Sequence, residues 1–220
     1  MISQEALRNV DQQLIDRYSQ RLETFGRDPR TLGWDSRQSQ DTRFAIACDS
    51  VTFSHKTILD IGCGLADFYD YLSQQKLLSL GNYTGFDINP ALIQECQQRF
   101  PQCTFAVQNI LIDPLPAQIW DVVTLFGLLN FRFQDFANLD FAKQMITQAF
   151  ALSQETLIVD MLSANVDANY PPEDFVYYYK PSEMLDFALS LTPHVMLRHD
   201  YRSIPQREFM LILKKSPCPM

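Results

Sequence analysis

Near the start of the chain, apolar residues recur at three- and four-residue intervals: Leu7, Val10, Leu14, Tyr18, Leu22 and Phe25. That spacing predicts an amphipathic helix over residues 2–25, stopped by Gly26 and Asp28-Pro29. A short loop at Thr31–Ser36 leads to Ser39–Cys48, which predicts a second helix. Beyond residue 50 the pattern changes to short apolar runs separated by helical spacing. Strands are predicted at Ile58–Ile61, Asn82–Ile88, Cys103–Ile110, Trp120–Gly127 and Glu155–Leu162. Phe141–Leu152 has helical spacing, and Pro181-Ser182-Glu183 opens another helix. Two β runs, Val195–Tyr201 and Glu208–Leu213, close the pattern. The chain thus divides into a helical extension (1–50), an α/β domain (51–214) and a tail (215–220) expected to be mobile.

The most informative stretch is Leu59-Asp60-Ile61-Gly62-Cys63-Gly64-Leu65-Ala66-Asp67. A strand runs into two glycines and then into the start of a helix. Glycines there let the backbone bend sharply and let a ligand approach it. A dinucleotide fingerprint would place a third glycine where Asp67 stands. A carboxylate in the first helical turn suits the helix dipole but repels a phosphate. Asp60 adds a second acid beside the same turn. Two acids suit a nucleoside that carries positive charge and no phosphate, and S-adenosylmethionine has that description. Asp87 ends the next strand, 23 residues beyond Gly64, where an acid is placed to grip a ribose diol. Asn89-Pro90 then opens a helix, Asn as N-cap and Pro at its first position.

These residues resemble the class I, Rossmann-like S-adenosylmethionine-dependent methyltransferases. Leu59–Gly64 is similar to their first motif, and Gly85-Phe86-Asp87-Ile88-Asn89-Pro90 to their second-strand acid motif. The resemblance implies a seven-stranded, mostly parallel, doubly wound sheet with an antiparallel last strand, covered by an N-terminal helical lid. It implies a methionyl site at Asp60, Gly62 and Gly64, a ribose site at Asp87, and an adenine pocket at Ile88, Asn109 and Ile110. Asn109 stands where the family often has an acid, and its side-chain oxygen is able to accept the same bond. Phe126 and Gly127 are expected on the cofactor floor, with Arg43 paired to the methionyl carboxylate or left on the surface.

Charge and cysteine usage narrow the partners. The net charge of −8 over 220 residues argues against nucleic acid or an anionic membrane as the default partner. Five cysteines without a CxxC pair read as reduced thiols. No basic region followed by an apolar run opens the chain, and no later segment holds 18 apolar residues. The expectation is a cytoplasmic protein that takes a small-molecule substrate. Its oligomeric state is not legible.

Candidates for chemistry beyond the cofactor are fewer. No Asp/Asn-Pro-Pro-aromatic motif follows the fourth strand, so methylation of nucleic-acid bases is disfavoured; Asn169-Tyr170-Pro171-Pro172 comes later and reads as a loop. No paired carboxylates follow that strand, which disfavours a Mg²⁺-dependent mechanism, and no metal is expected. Tyr18 and Trp34 have two readings, packing of the extension or part of a substrate pocket. Asn130 either touches substrate or caps a helix. Tyr177, Tyr178 and Tyr179, in an irregular aromatic insert between Ser163 and Pro181, offer an aromatic wall, with Tyr178 a candidate orienter or base. His199 is the best placed histidine, against a structural role in its strand. The preferred function is O- or N-methylation of a small acceptor. The rivals are a non-catalytic subunit of the same fold and an NAD-type oxidoreductase.

Overall fold

The computed structural model describes residues 2–78, 82–165, 172–202 and 207–216. The loop at Asn169–Pro171, Cys218 and the last tail residues lie outside the described residues. Helix α1 (Gln4–Phe25) starts where the Ser3 hydroxyl accepts from the Ala6 N–H and stops at Gly26. A 3₁₀ turn at Pro29–Leu32 leads to α2 (Arg37–Ser50). That helix begins two residues earlier than its apolar spacing suggests, because Ser36 and Ser39 cap each other's backbone N–H groups.

Seven strands then form one sheet: β1 (Ile58–Ile61), β2 (Tyr83–Asp87), β3 (Thr104–Val107), β4 (Trp120–Leu125), β5 (Ser153–Leu162), β6 (Val195–Arg198) and β7 (Glu208–Lys214). Their spatial order is β3-β2-β1-β4-β5-β7-β6, with β7 antiparallel to both its neighbours. This is the doubly wound, mostly parallel architecture expected from the sequence. Strand β3 is shorter than its alternation predicts. Asn109 folds its Oδ1 onto the Leu111 N–H at 2.8 Å, an Asx turn that ends the strand. The tail also begins in contact rather than free: the Lys215 N–H donates to the Glu155 carbonyl at 2.8 Å.

Side-chain alternation divides the core between the two faces. Leu59, Val123, Leu125, Leu157 and Val159 pack under α5 (Asn138–Leu152) and α6 (Pro181–Leu191). Ile58, Val122 and Ile158 pack under α2, α3 (Asp67–Gln74) and α4 (Pro90–Arg99). The strand order reverses between β1 and β4, so the carboxyl ends of these strands open a crevice there. Among the described residues, no helix is long and apolar enough to cross a membrane.

Gly85, in the middle of β2, marks how tightly the sheet packs beneath that crevice. A Cβ there would lie 2.7 Å from the Phe105 ring and 2.8 Å from Cys63 Sγ. Gly85→Ala is expected to cost about 1–3 kcal/mol by overpacking, read as a lower urea midpoint at unchanged slope.

Candidate functional site

The crevice is built around Asp87. Its Oδ2 accepts from the Gly64 N–H at 3.0 Å and its Oδ1 from the Asn89 N–H at 2.9 Å. One carboxylate thus joins the turn after β1 to the start of α4. Burial raises its pKa, while the N–H groups of Asn89, Gly64 and Ile88 act to lower it. Gly62 and Gly64 adopt φ of 75° and 56°, the left-handed region. A Cβ at Gly62 would strike Leu128, and one at Gly64 would strike Leu32, each at 2.6 Å. The turn is therefore open to a ligand but closed to any larger residue.

Asp60 lines the crevice but is held by the protein. The Tyr83 hydroxyl donates to it at 2.5 Å and the Thr124 hydroxyl at 2.8 Å. Burial pushes its pKa up to about 6 against those two bonds. Asp67, at the first position of α3, is buried. It accepts from Gln40 Nε2 at 3.1 Å and pairs with Arg37 at 3.2 Å and Arg99 at 3.6 Å. Negative charge is fixed where a dinucleotide would rest a phosphate.

One pocket brings together Asp60, Gly62, Gly64, Asp87, Ile88, Asn109, Ile110, Phe126 and Gly127 with Tyr18 and Trp34. Among the described residues its lining holds four aspartates, Asp11, Asp60, Asp67 and Asp87, and no Lys, Arg or His. Such a wall fits the sulfonium and ammonium of S-adenosylmethionine and does not fit a pyrophosphate. The fit is incomplete in one respect. Arg43, expected to meet the methionyl carboxylate, is instead buried behind the pocket. It is paired with Glu208 and lies 3.4 Å from Asp160 Oδ2. Its guanidinium lies 4.1 Å from the centre of the Trp34 ring. Two buried carboxylates sharing one guanidinium hold it away from any ligand.

Other candidates serve as scaffold. Asn130 caps no helix: its Oδ1 accepts from the Leu162 N–H at 3.1 Å and its carbonyl from the Tyr177 N–H at 2.9 Å. Tyr179 is buried and donates to the Leu129 carbonyl at 2.9 Å. Tyr177 packs on Tyr179 with ring centres 4.7 Å apart, and the Tyr178 hydroxyl accepts from the Glu173 N–H at 3.0 Å. Tyr177 and Tyr179 thus buttress the loop after β4 from outside, Tyr178 is held within the insert, and none of the three is among the described residues that line the pocket. His199 lies at the far edge of the sheet, just beyond β6, against Phe209, and burial lowers its pKa.

The pocket also includes residues that sequence reading did not assign to it. Leu7, Val10, Asp11 and Leu14 come from α1, and Phe131, Phe133, Phe141 and Met145 from the loop after β4 and from α5. Asn138 shapes that loop, donating to the Phe131 carbonyl at 2.6 Å and accepting from the Phe133 N–H at 3.0 Å. The apolar stripe of α1 was legible, but periodicity does not tell whether a stripe covers a sheet or a cavity.

Comparison with known proteins agrees with this geometry. Residues 58–146 match the family profile described as a methyltransferase domain. A curated relative, provisionally named methyltransferase 235L of Invertebrate iridescent virus 6, is 25% identical over 138 residues, 60% of this chain. The chain spans about half the length of that relative, 51%. Similar solved structures include the 1,6-didemethyltoxoflavin-N1-methyltransferase of Burkholderia thailandensis, with a TM-score of 0.67 and 15% identity over 96% of this chain and 89% of that one. Magnesium protoporphyrin IX methyltransferase of Synechocystis PCC 6803 gives 0.64 and 16% over 94% and 99%. Both were crystallised with S-adenosylhomocysteine, and at these identities they establish the shared fold. The match to a methyltransferase domain covers residues 58–146, and the chain shares its fold with S-adenosylmethionine-dependent methyltransferases.

The buried Arg43–Asp160–Glu208 cluster predicts a pH dependence. Burial pushes the Asp160 carboxyl up to about 7, with Arg43 lowering it and Glu208 raising it further. Unfolded, the same group ionises near its ordinary value of 3.8. The folded chain holds the extra proton across that interval, so stability falls as pH rises from about 4 to about 7. The thermal midpoint is expected to fall less steeply over this interval in Asp160→Asn than in the unaltered chain.

Proposed function

We propose that the chain transfers a methyl group from S-adenosylmethionine to a small, largely apolar acceptor at oxygen or nitrogen. The observation that carries the reading is the division of one pocket into an acidic nucleoside half and an aromatic half. Asp87, Gly62 and Gly64 belong to the first; Phe131, Phe133, Phe141 and Met145 to the second. The toxoflavin and porphyrin methyltransferases that share the fold act on small molecules, which supports the same class here.

When bound, S-adenosylmethionine supplies a methyl group made electrophilic by its sulfonium. The protein's part begins with binding. Asp87 uses part of its acceptor capacity on backbone N–H groups and keeps the rest for ribose hydroxyls. The glycine turn admits the methionyl chain, and Phe126, Trp34 and Tyr18 line the pocket with aromatic side chains. Among the described residues, the aromatic half contains no titratable side chain. Among the described residues, Tyr18 is the sole hydroxyl in the lining, and burial raises its pKa, so it keeps its proton and does not serve as a base. The chain therefore contributes alignment of donor and acceptor, and the acceptor atom arrives with its own lone pair available. Asn130, Tyr177, Tyr178 and Tyr179 keep the aromatic half in shape, and the first fifty residues close it as a lid.

Calorimetric titration tests the cofactor half. S-adenosylhomocysteine is expected to bind at micromolar concentration and NAD not at all, with Asp87→Ala weakening the former about tenfold or more. NAD binding, or no nucleoside binding, would sink the reading and return the oxidoreductase or the partner-binding subunit. For the acceptor half, Phe131→Ala should raise the KM for an acceptor found by screening while leaving S-adenosylhomocysteine affinity within about twofold.

A further inference from the structure

The lid carries more than apolar cover, and this inference rests on the cofactor reading just given. A purine is a flat apolar body whose rim bears one exocyclic amino group with two donors. Beyond Asp87, the pocket supplies apolar faces from Ile88 and Ile110 on the sheet side and from Leu7 and Val10 on α1. Rim acceptors are scarce there. Asn109, the expected one, points its Oδ1 at the Leu111 N–H and its Nδ2 at Asp11 Oδ2, each at 2.8 Å. Gln108 is tied by its Nε2 to the Pro114 carbonyl at 3.2 Å and offers only a neutral amide oxygen.

Asp11 remains. Asn109 holds one of its oxygens, and the other accepts no hydrogen bond from the described residues. The residue lines the pocket from the α1 side, half-buried, and burial raises its pKa. Its position is not an accident of one contact. Asn89, the N-cap of α4, ties α1 down one turn further on, donating through Nδ2 to the Ile15 carbonyl and to Ser19 Oγ, each at 3.1 Å.

We infer that Asp11 accepts the exocyclic amino group of the nucleobase, with Asn109 as the positioning residue that aims its carboxylate. The adenine-reading acid has moved from the sheet to the lid. The base then bridges α1 to the α/β domain, so the lid closes on an aminopurine nucleoside and not on other nucleosides of the same shape.

The test measures affinity alone. S-adenosylhomocysteine and its analogue lacking the 6-amino group are titrated calorimetrically into the full chain, Asp11→Ala and Asp11→Asn. A bond from the amino group to a carboxylate predicts that the unaltered chain prefers S-adenosylhomocysteine by about 10- to 100-fold. Asp11→Ala is expected to abolish the preference by weakening only the amino ligand, leaving the analogue within about twofold. Asp11→Asn, which keeps an acceptor and loses the charge, should fall between, and it carries the test should the alanine variant not fold. A preference that survives in both variants overturns the assignment. So does an equal loss for both ligands, which would mark Asp11 as merely structural. An unaltered chain that binds neither ligand overturns the cofactor reading first, and this inference with it.

Discussion

Everything at the crevice depends on the Asp87 carboxylate. By accepting from Gly64 and Asn89 at once, it sets the turn after β1 and the first turn of α4 at a fixed separation. The clasp holds the turn in which Gly62 and Gly64 take left-handed backbone, beside the crevice opened between β1 and β4. A buried carboxylate is costly unless hydrogen-bonded. Here backbone N–H groups meet part of that need, and the remaining lone pairs face the pocket.

Electrostatics selects the ligand class. Four aspartates and no cationic side chain among the described residues make the pocket a poor host for phosphate and a good one for a sulfonium or ammonium. Asp67 keeps this character because Arg37 and Arg99 stabilise its charge from outside the lining. Arg43 illustrates the opposite arrangement. Its charge is consumed by Glu208 and Asp160 in the core, where it anchors α2 to the ends of β5 and β7. Asp160 also accepts from the Gly127 N–H at 2.6 Å, so the same cluster fixes the floor on which Trp34 rests.

The two segments outside the sheet's regular pattern divide the remaining work. Helix α1 and the turn after it form one wall, held by Asn89 and by the Asn109–Asp11 bond. The aromatic insert forms a brace. Tyr179 and Tyr177 reach the loop after β4 through the Leu129 and Asn130 carbonyls and so hold Phe131 and Phe133 toward the cavity from behind. Among the described residues, the insert thus supports the pocket lining without being part of it.

Local chemistry was legible along the chain. The strand–glycine–helix run at Leu59–Asp67, the acid at Asp87 and the Asn89-Pro90 cap depend on neighbours within a few residues. Together with the order of apolar runs, they determined the doubly wound sheet and the glycine turn at its crevice. What lay beyond reach was which way side chains on separate elements face. Arg43 and Glu208 stand 165 residues apart, and no periodicity signals that they meet in the core. Likewise Asp11 is an ordinary acid on an amphipathic helix until tertiary packing sets it beside Asn109, 98 residues away. Three adjacent tyrosines look like a binding wall in sequence, but hydrogen bonds to the distant Leu129 and Asn130 carbonyls turn Tyr179 and Tyr177 into its support, and Tyr178 is held by Glu173 within the insert. Sequence specifies backbone conformation and burial because those are local energies. The partners of a buried charge or an aimed hydroxyl are decided only when distant segments are brought into contact.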